Sequence, residues 1–422
     1  MTRASFVSFI PIALVCSLTA AQARAQETRA ESLSQERAAK AEEAPAAPVN
    51  KPGLLQRSFR LTLRAVHPAA GSQDGFYPKV GDLIPGSGWI SLGPGYRRHL
   101  LGDAAVWDTS AVMSTRRYSM AQTQIQWPAL FSGRVSAGGQ IRYQDFTQVN
   151  FFGIGPDTPK SAQTNYRLKN VDIVGSATAH PRAWLSVGGR AGYIGGLRIQ
   201  PGLSSLHPAT NQLFDGITAP GSTVQPRFFH ADVFAQADTR DVPGYPSSGG
   251  LYRVGIATFR DLDGTGQTFR RFDAGLTRYL PLFHKNWVLA LGAQVTASGT
   301  DNNNAVPFYM LPTLGGQSTL RGYADYRFRD RNVALVSGEY RWQVFRMMDA
   351  ALFVDAGTVA STARELLRQR PYHDYGLGVR VHSTTHSLLS IDVAKGREGT
   401  RVRVSLSAFL RAANRRVIPY VP

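Results

Sequence analysis

The residues in this sequence with the clearest chemistry are one arginine and two carboxylates. Arg321 lies in the tetrapeptide LRGY, Glu339 in the segment VALVSGEYRWQV and Asp355 in the segment AALFVDAGTV. A carboxylate with apolar neighbours on both sides needs a cation partner. The planar fork of a guanidinium can bridge two carboxylates. The spacing therefore predicts an ion-pair site, and a solvated loop arginine remains the alternative for Arg321.

Strands are the elements that must position these side chains. Ser337, Glu339 and Arg341 fall on one face of their segment, and Asp355 shares a face with Phe353 in the next segment. Successive side chains of a strand point to opposite faces of a sheet. Two neighbouring strands would each present a carboxylate to the same side, and the long segment before them carries Arg321.

Apolar and polar residues alternate from about residue 59 to residue 410, broken by Gly, Pro, Asn and Asp. A soluble sandwich and a membrane barrel both show this period. The predicted strands, of about 10 to 14 residues, exceed the usual length of about 5 to 6. Their polar faces carry charges in mid-strand, and aromatic residues lie near their ends. The sequence therefore predicts an all-β, transmembrane antiparallel β-barrel of about 16 strands, starting with residues 59–68.

The N-terminal region differs from the rest of the sequence. Residues 1–25 have a basic start, an apolar run and small residues that fit a cleavage site, as in a secretory signal peptide. Residues 26–58 are rich in Ala, Glu and Pro, which predicts a periplasmic helix and linker, and residues 59–422 are assigned to the barrel. Because Cys16, the single cysteine, lies in the predicted signal peptide, no disulfide is expected. Export and a barrel together predict the bacterial outer membrane.

The formal net charge is +18, with arginines spread along the chain rather than clustered. This distribution fits an anionic lipid surface, a pore lining or solvated loops better than nucleic acid. The polar faces of the predicted strands supply the candidate lumen lining: Arg190, Arg253, Arg271, Arg341, Arg380, Asp232, Asp273 and Asp392. The nine histidines are scattered, and catalytic, metal and nucleotide motifs are not found, so neither an enzyme nor a cofactor is expected.

A double glycine at 315–316, LRGY, GEYRW and FVDAG follow one another in an order that resembles the BamA/TamA family of outer-membrane proteins, the bacterial surface antigen barrels. The resemblance covers about residues 75–410. It implies a 16-stranded barrel whose long extracellular loop folds into the lumen and is pinned to the wall. Arg321 would then pair with Asp355, with Glu339 as second acceptor. The implied latch residues are Leu320, Arg321, Gly322, Tyr323, Glu339, Phe353, Asp355 and Gly357.

Two functions are consistent with these observations. The resemblance implies insertion, assembly or translocation of proteins, or of lipid, at the outer membrane. Family members with such roles carry periplasmic POTRA domains, which the sequence is expected to lack because only residues 26–58 precede the barrel. The alternative is a passive channel for small solutes, of which anions suit the arginines. Expected partners are outer-membrane lipid and lipopolysaccharide, the barrel assembly machinery during its own insertion, and a separate periplasmic or secreted protein.

Overall fold

The structure is a computed structural model that describes residues 74–82, 90–283, 286–301, 303–383 and 387–406. The predicted signal peptide (1–25), the predicted linker (26–58) and the predicted first strand (59–68) lie outside the described residues. The described part begins with a strand, Gly75–Asp82, that the sequence pattern did not indicate. All described residues fall within one unit, which begins at Thr62.

Strands dominate the described residues. Their bounds are β1 Gly75–Asp82, β2 Ile90–Leu100, β3 Ala105–Ser114, β4 Ser119–Leu130, β5 Val135–Phe151, β6 Thr164–Arg182, β7 Leu185–Pro201, β8 Phe228–Asp238, β9 Gly249–Asp261, β10 Phe269–Pro281, β11 Trp287–Gly299, β12 Thr313–Leu314, β13 Phe328–Arg329, β14 Asn332–Phe345, β15 Met348–Ala360, β16 Tyr372–His382, β17 Ser387–Gly396 and β18 Gly399–Ser405. Two single-turn helices, Thr210–Leu213 and Ala363–Leu366, and two 3-10 turns, Lys160–Ala162 and Phe308–Met310, lie in the connections. No described helix is both long enough and apolar enough to cross a membrane.

The strands form one 16-stranded antiparallel sheet in chain order, from β1 to β11 and then from β14 to β18. The short strands β12 and β13 pair with each other inside the β11–β14 connection. We call this connection, residues 300–331, the inner loop. Because the inner loop is not part of the wall, β11 pairs directly with β14. The strands that carry Glu339 and Asp355, β14 and β15, are also neighbours.

The two faces of the sheet differ as a membrane barrel requires. Outward positions are apolar and exposed: on β15, Leu352 is 50% and Val354 is 53% exposed. Inward positions on the same strand are buried, and Asp355 is only 1% exposed. The inner loop contacts β6 through Arg329 and β18 through Arg403. The sheet is thus curved around the loop as a barrel.

The buried apolar core is formed between the inner loop and the inward faces of the strands. One cluster packs Phe308, Tyr309 and Met310 of the loop against wall aromatics such as Tyr166 and Phe259. A second cluster joins loop residues to β14 and β15: Leu314, Leu320, Tyr323, Phe328, Val333, Leu335 and Val359. Removing these apolar side chains from water stabilises the loop inside the barrel.

The connections differ in length between the two ends of the barrel. At one end they include residues 101–104, 131–134, 183–184, 239–248 and 346–347; at the other they include residues 152–163, 202–227, 300–331 and 361–371. Outer-membrane barrels have short periplasmic turns and longer extracellular loops. The inner loop therefore belongs to the extracellular end, and residues 239–248, the β8–β9 connection, belong to the periplasmic end.

Candidate functional site

Arg321 of the inner loop contacts two strands of the wall. Its Nε donates to Asp355 Oδ2 at 2.7 Å and its Nη2 to Asp355 Oδ1 at 3.0 Å, while Nη1 donates to Glu339 Oε2 at 2.8 Å. The guanidinium lies 3.4 Å from the ring centroid of Phe353. Burial alone would lower the pKa of Arg321, but its hydrogen bonds to Asp355 and the nearby carboxylate charges raise that pKa above its ordinary value.

The ion pairs continue from Glu339 to the next strands. Arg380 on β16 donates to Glu339 Oε2 at 2.7 Å and forms a 2.6 Å ion pair with Asp392 on β17. Gln317 of the inner loop donates to Asp392 Oδ2 at 3.0 Å. The structure thus brings together Glu339, Asp355, Arg380 and Asp392 beneath the loop tip. Such a buried, hydrogen-bonded network holds a segment in one position, because losing either partner leaves a charge without compensation.

Asp374 lies directly opposite Asp355 in the β15–β16 ladder and is fully buried. Like charges at directly opposite positions destabilise a sheet when both are ionised. The position of Asp374 therefore disfavours a second negative charge beside the carboxylate that holds Arg321.

The rest of the LRGY tetrapeptide fits closely against the wall. A Cβ at Gly322 would lie 2.7 Å from both the Asp374 Cβ and the Gly396 N, so this position has no room for a side chain. The Tyr323 hydroxyl donates to the His373 carbonyl at 3.1 Å, and Leu320 is fully buried.

Gly357 and Phe353, both on β15, form the part of the wall against which the loop packs. A Cβ at Gly357 would lie 2.9 Å from the Leu314 Cδ1 of the loop. Phe353 supplies the ring under Arg321, and the pairing of a cation with a ring face adds to the ion pairs. All eight residues of the predicted latch therefore lie on the inner loop or on the wall strands β14 and β15 beneath it, and their latch function remains a prediction.

Arg403 on β18 is a contact that the sequence interpretation missed. Its Nη1 donates to Asp325 Oδ1 at 2.6 Å, its Nε donates to the Arg321 carbonyl at 3.2 Å, and its Nη2 donates to the Tyr323 carbonyl. Burial raises the pKa of Asp325, while the Arg403 charge opposes that rise. The alternation in RVRVS places Arg403 on the polar face, but no sequence pattern identifies a loop backbone as its partner.

The inner loop is also held by the β17–β18 turn and, across the barrel, by β6 and the β5–β6 connection. Arg327 donates to Glu398 Oε1 at 2.7 Å and to the Thr158 carbonyl at 2.6 Å, which links the β17–β18 turn to the β5–β6 connection. Arg329 donates to the Tyr166 hydroxyl at 3.2 Å, and its carbonyl accepts from the Gly155 N–H at 2.8 Å. One segment therefore spans the interior, with hydrogen bonds to both sides of the wall.

The β8–β9 connection folds inward at the periplasmic end. The Tyr245 hydroxyl donates to Asp349, and its ring stacks on His382 with centroids 4.1 Å apart. Arg341 lies 4.8 Å from the Tyr245 ring centroid and donates to the Pro246 carbonyl at 2.6 Å. Burial is the main cause of the raised pKa of Tyr245, which keeps the hydroxyl protonated as a donor. The connection thus reaches from β8 and β9 to β14, β15 and β16.

The remaining lumen candidates lie on the inward face at several levels. Arg190 pairs with Asp232 directly across β7 and β8 at 2.8 Å, and Arg253 donates to Gln236 at 2.9 Å. Arg271 is 1% exposed and donates to the Met310 carbonyl of the inner loop, while Asp273 accepts from Thr296 at 2.7 Å. A cavity of about 440 Å³ borders Arg190 and Arg253, along β4 to β9.

Metal coordination has no support in the residues that the structure describes. No group of three or more His, Cys, Asp or Glu side chains among them could hold an ion. Under the inner loop, Glu339, Asp355 and Asp392 instead form ion pairs with arginines.

The comparison with protein families decides what this barrel is. Residues 100–407 match the family model described as the Omp85 superfamily domain, which is well over half of the chain. The chain belongs to the Omp85 superfamily. The superfamily consists of outer-membrane β-barrel proteins, so the outer-membrane barrel and the family resemblance predicted from the sequence are both confirmed.

Solved Omp85 structures share the fold at low sequence identity. The structure of BamA from Haemophilus ducreyi lacking POTRA domains 1–3 is similar with a TM-score of 0.58 and 16% identity, covering 79% of this chain and 70% of that one. CdiB from Escherichia coli is similar with a TM-score of 0.54 and 12% identity, covering 80% of this chain and 63% of that one. The search of curated protein sequences finds no match.

Proposed function

We propose that this Omp85 barrel inserts, assembles or translocates proteins, or lipid, at the bacterial outer membrane, and that its interior is closed at rest. The superfamily membership and the likeness to BamA and CdiB support the general kind of activity. The substrate is a membrane or secreted protein that crosses or enters the wall while the inner loop is displaced. A separate periplasmic or secreted protein would deliver it.

The observation that carries the proposal is the anchoring of the inner loop across the lumen. Arg321 attaches the loop to β14 and β15, Arg403 attaches it to β18, and Arg329 attaches it to β6. At the other end, Tyr245 of the β8–β9 connection contacts Asp349 and His382. A pathway covered at both ends suits controlled passage or insertion better than continuous solute diffusion.

A passive channel for small, including anionic, solutes is the second candidate. The 440 Å³ cavity, which is lined partly by Arg190 and Arg253, favours it. Most of the candidate lumen arginines, however, are engaged by the wall or by loops: Arg190 with Asp232, Arg271 with Met310, Arg341 with Pro246 and Arg380 with Glu339. Two of these guanidinium groups are paired with carboxylates and two donate to backbone carbonyls of the loops, so fewer of them are available to free anions.

Two measurements separate these functions. Depletion of the protein, followed by quantitative proteomics of the outer membrane and the medium, should show loss of specific membrane or secreted proteins. Reconstitution of the purified full chain in planar bilayers should show a closed or briefly flickering pore. A large, steady, anion-selective current together with an unchanged proteome would instead establish the channel.

A further inference from the structure

Six basic side chains lie on the outward side of the wall along β6 to β10, near the extracellular end of the barrel. On β9, Arg260 follows the exposed Val254 and Ile256 at every second residue, and on β10 Arg270 precedes the exposed Phe272. Alternation on β6 places Arg167 and Lys169 outward, a bulge in β7 turns Arg198 to the same face, and Arg227 is exposed just before β8. Together we call these residues the outer basic belt: Arg167, Lys169, Arg198, Arg227, Arg260 and Arg270. We propose that the outer basic belt binds the phosphate groups of a phosphorylated glycolipid in the outer leaflet of the membrane.

The strand register makes the belt continuous. Lys169 on β6 lies directly opposite Arg198 on β7. The Arg227 carbonyl accepts a hydrogen bond of 2.9 Å from the N–H of Leu262, the first residue after β9. Arg270 is opposite Thr258, two residues from Arg260 on the same face, a diagonal separation of about 7 to 8 Å. Neighbouring guanidinium groups can therefore reach phosphates that belong to one headgroup.

Acidic partners only partly neutralise the belt. Arg167 pairs with Asp145 at 2.6 Å and Arg227 with Asp263 at 2.5 Å. Arg270 reaches Asp301 only at 3.9 Å, and both side chains remain more than 70% exposed. Within the part of the chain that the structure describes, Arg198 and Arg260 are exposed and form no ion pair. The face therefore keeps an excess of positive charge, carried mainly by Arg198, Arg260 and Arg270.

The belt lies at the level where a headgroup is expected. Tyr193 and Phe229 lie among its members, and Phe229 is directly opposite Arg260. Aromatic girdles mark the two interfaces of a membrane barrel. Towards the periplasm, the outward residues become aliphatic, as with Val233 and Ile256. Cations belong at the polar edge of this apolar band, since charge deeper in the hydrocarbon is costly.

A glycolipid fits this surface better than free phosphate does. The belt extends over neighbouring strands about 4.8 Å apart, so it offers several weak contacts rather than one enclosed anion site. A headgroup with two phosphates can use several of them together, while its acyl chains lie on the apolar residues beneath. Arginine forks match phosphate oxygens in pairs. This inference does not depend on the proposed transport function.

The test uses the purified full chain in phosphatidylethanolamine nanodiscs that contain bisphosphorylated lipid A, monophosphorylated lipid A or neither. Retained lipid is counted by native mass spectrometry for the wild type and for Arg198→Gln/Arg260→Gln/Arg270→Gln. Arg364→Gln/Arg368→Gln/Arg370→Gln, which removes three exposed charges from the extracellular connection 361–371, is the matched control. Heat-shifted gel migration verifies that every variant is folded.

The wild type should retain bisphosphorylated lipid A most strongly. The triple variant should bind it on the order of a hundredfold more weakly, because each arginine contributes roughly tenfold or less to the affinity. The control variant should bind as the wild type does. Equal binding by the folded triple variant, equal loss in the control, or no preference between bisphosphorylated lipid A and discs without it would overturn the proposal. Full displacement of the lipid by inorganic phosphate at millimolar concentration would also overturn it, in favour of a free-anion site.

Discussion

Asp355 accepts one hydrogen bond at each carboxylate oxygen from Arg321, although the two residues belong to different elements, a wall strand and the inner loop. Asp355 is 1% exposed and Arg321 is 8% exposed. The interaction is therefore a buried ion pair, and its two members depend on each other: each compensates a charge that the interior would otherwise disfavour.

Replacing Arg321 with Ala should destabilise the folded barrel by about 3 to 5 kcal/mol, because Asp355 and Glu339 would lose their shared cation. Arg321→Lys should recover only part of this loss, since an ammonium lacks the planar fork that bonds both oxygens of Asp355. The measurement is the temperature at which the folded, fast-migrating gel band disappears. Arg368→Ala, at an exposed position, is the control, and unchanged melting of Arg321→Ala would refute the latch.

Asp355 and Asp374 should respond in opposite ways to the same substitution. Asp355→Asn removes the charge that pairs with Arg321 and should lower stability, whereas Asp374→Asn removes a carboxyl group whose negative charge is disfavoured opposite Asp355. We expect the second variant to be as stable as the wild type or more stable by about 0.2 to 1 kcal/mol. Urea titrations monitored by tryptophan fluorescence can rank the stabilities of the two variants. A strongly destabilised Asp374→Asn would show that Asp374 is itself a needed acceptor.

Removing Arg403 should loosen the inner loop without unfolding the wall. Arg403→Ala leaves Asp325 and the carbonyls of Arg321 and Tyr323 without this donor. Trypsin should then cleave after Arg327 or Arg329 in the folded protein, positions that are at most 4% exposed in the wild type. Mass spectrometry of the fragments gives the result. Arg401→Ala, on the same face of β18, should remain resistant, and protection in both variants would contradict the role of Arg403.

Tyr245 should control access from the periplasmic end. Tyr245→Ala removes the ring that stacks on His382 and the hydroxyl that contacts Asp349, so bilayer recordings should show more frequent openings. Tyr245→Phe keeps the stacked ring and loses only the hydroxyl. The opening frequency of Tyr245→Phe should lie between those of Tyr245→Ala and the wild type. If all three proteins conduct equally, the β8–β9 connection does not limit passage.

Alternation in the sequence was sufficient to predict most of the wall. The segment VALVSGEYRWQV, assigned to a strand from its alternation, lies within Asn332–Phe345, and the face assignments of Glu339 and Asp355 agree with their inward positions. The strand Gly75–Asp82 was not predicted because it contains Pro78, and a proline within a short run argues against a strand. Pro78 is tolerated there because β1 pairs, among the described strands, only with β2.

The contacts across the interior could not be predicted from periodicity. A period of two assigns a side chain to a face, but it does not say which residue lies opposite across the lumen. Arg403 and Asp325 are 78 positions apart, and Tyr245 and Asp349 are 104 apart. Residue types and strand faces singled out Arg321, Glu339 and Asp355, and the family resemblance supplied their pairing, whereas no comparable motif marks Arg403 or Tyr245.

The position of Arg403 imposes an order on biogenesis. The inner loop precedes β18 in the chain, yet three of its polar groups accept hydrogen bonds from Arg403 of that strand. A wall that lacks the β17–β18 hairpin therefore holds the loop without these hydrogen bonds. Attachment of the loop at Arg403 therefore requires that β18 has already joined the wall.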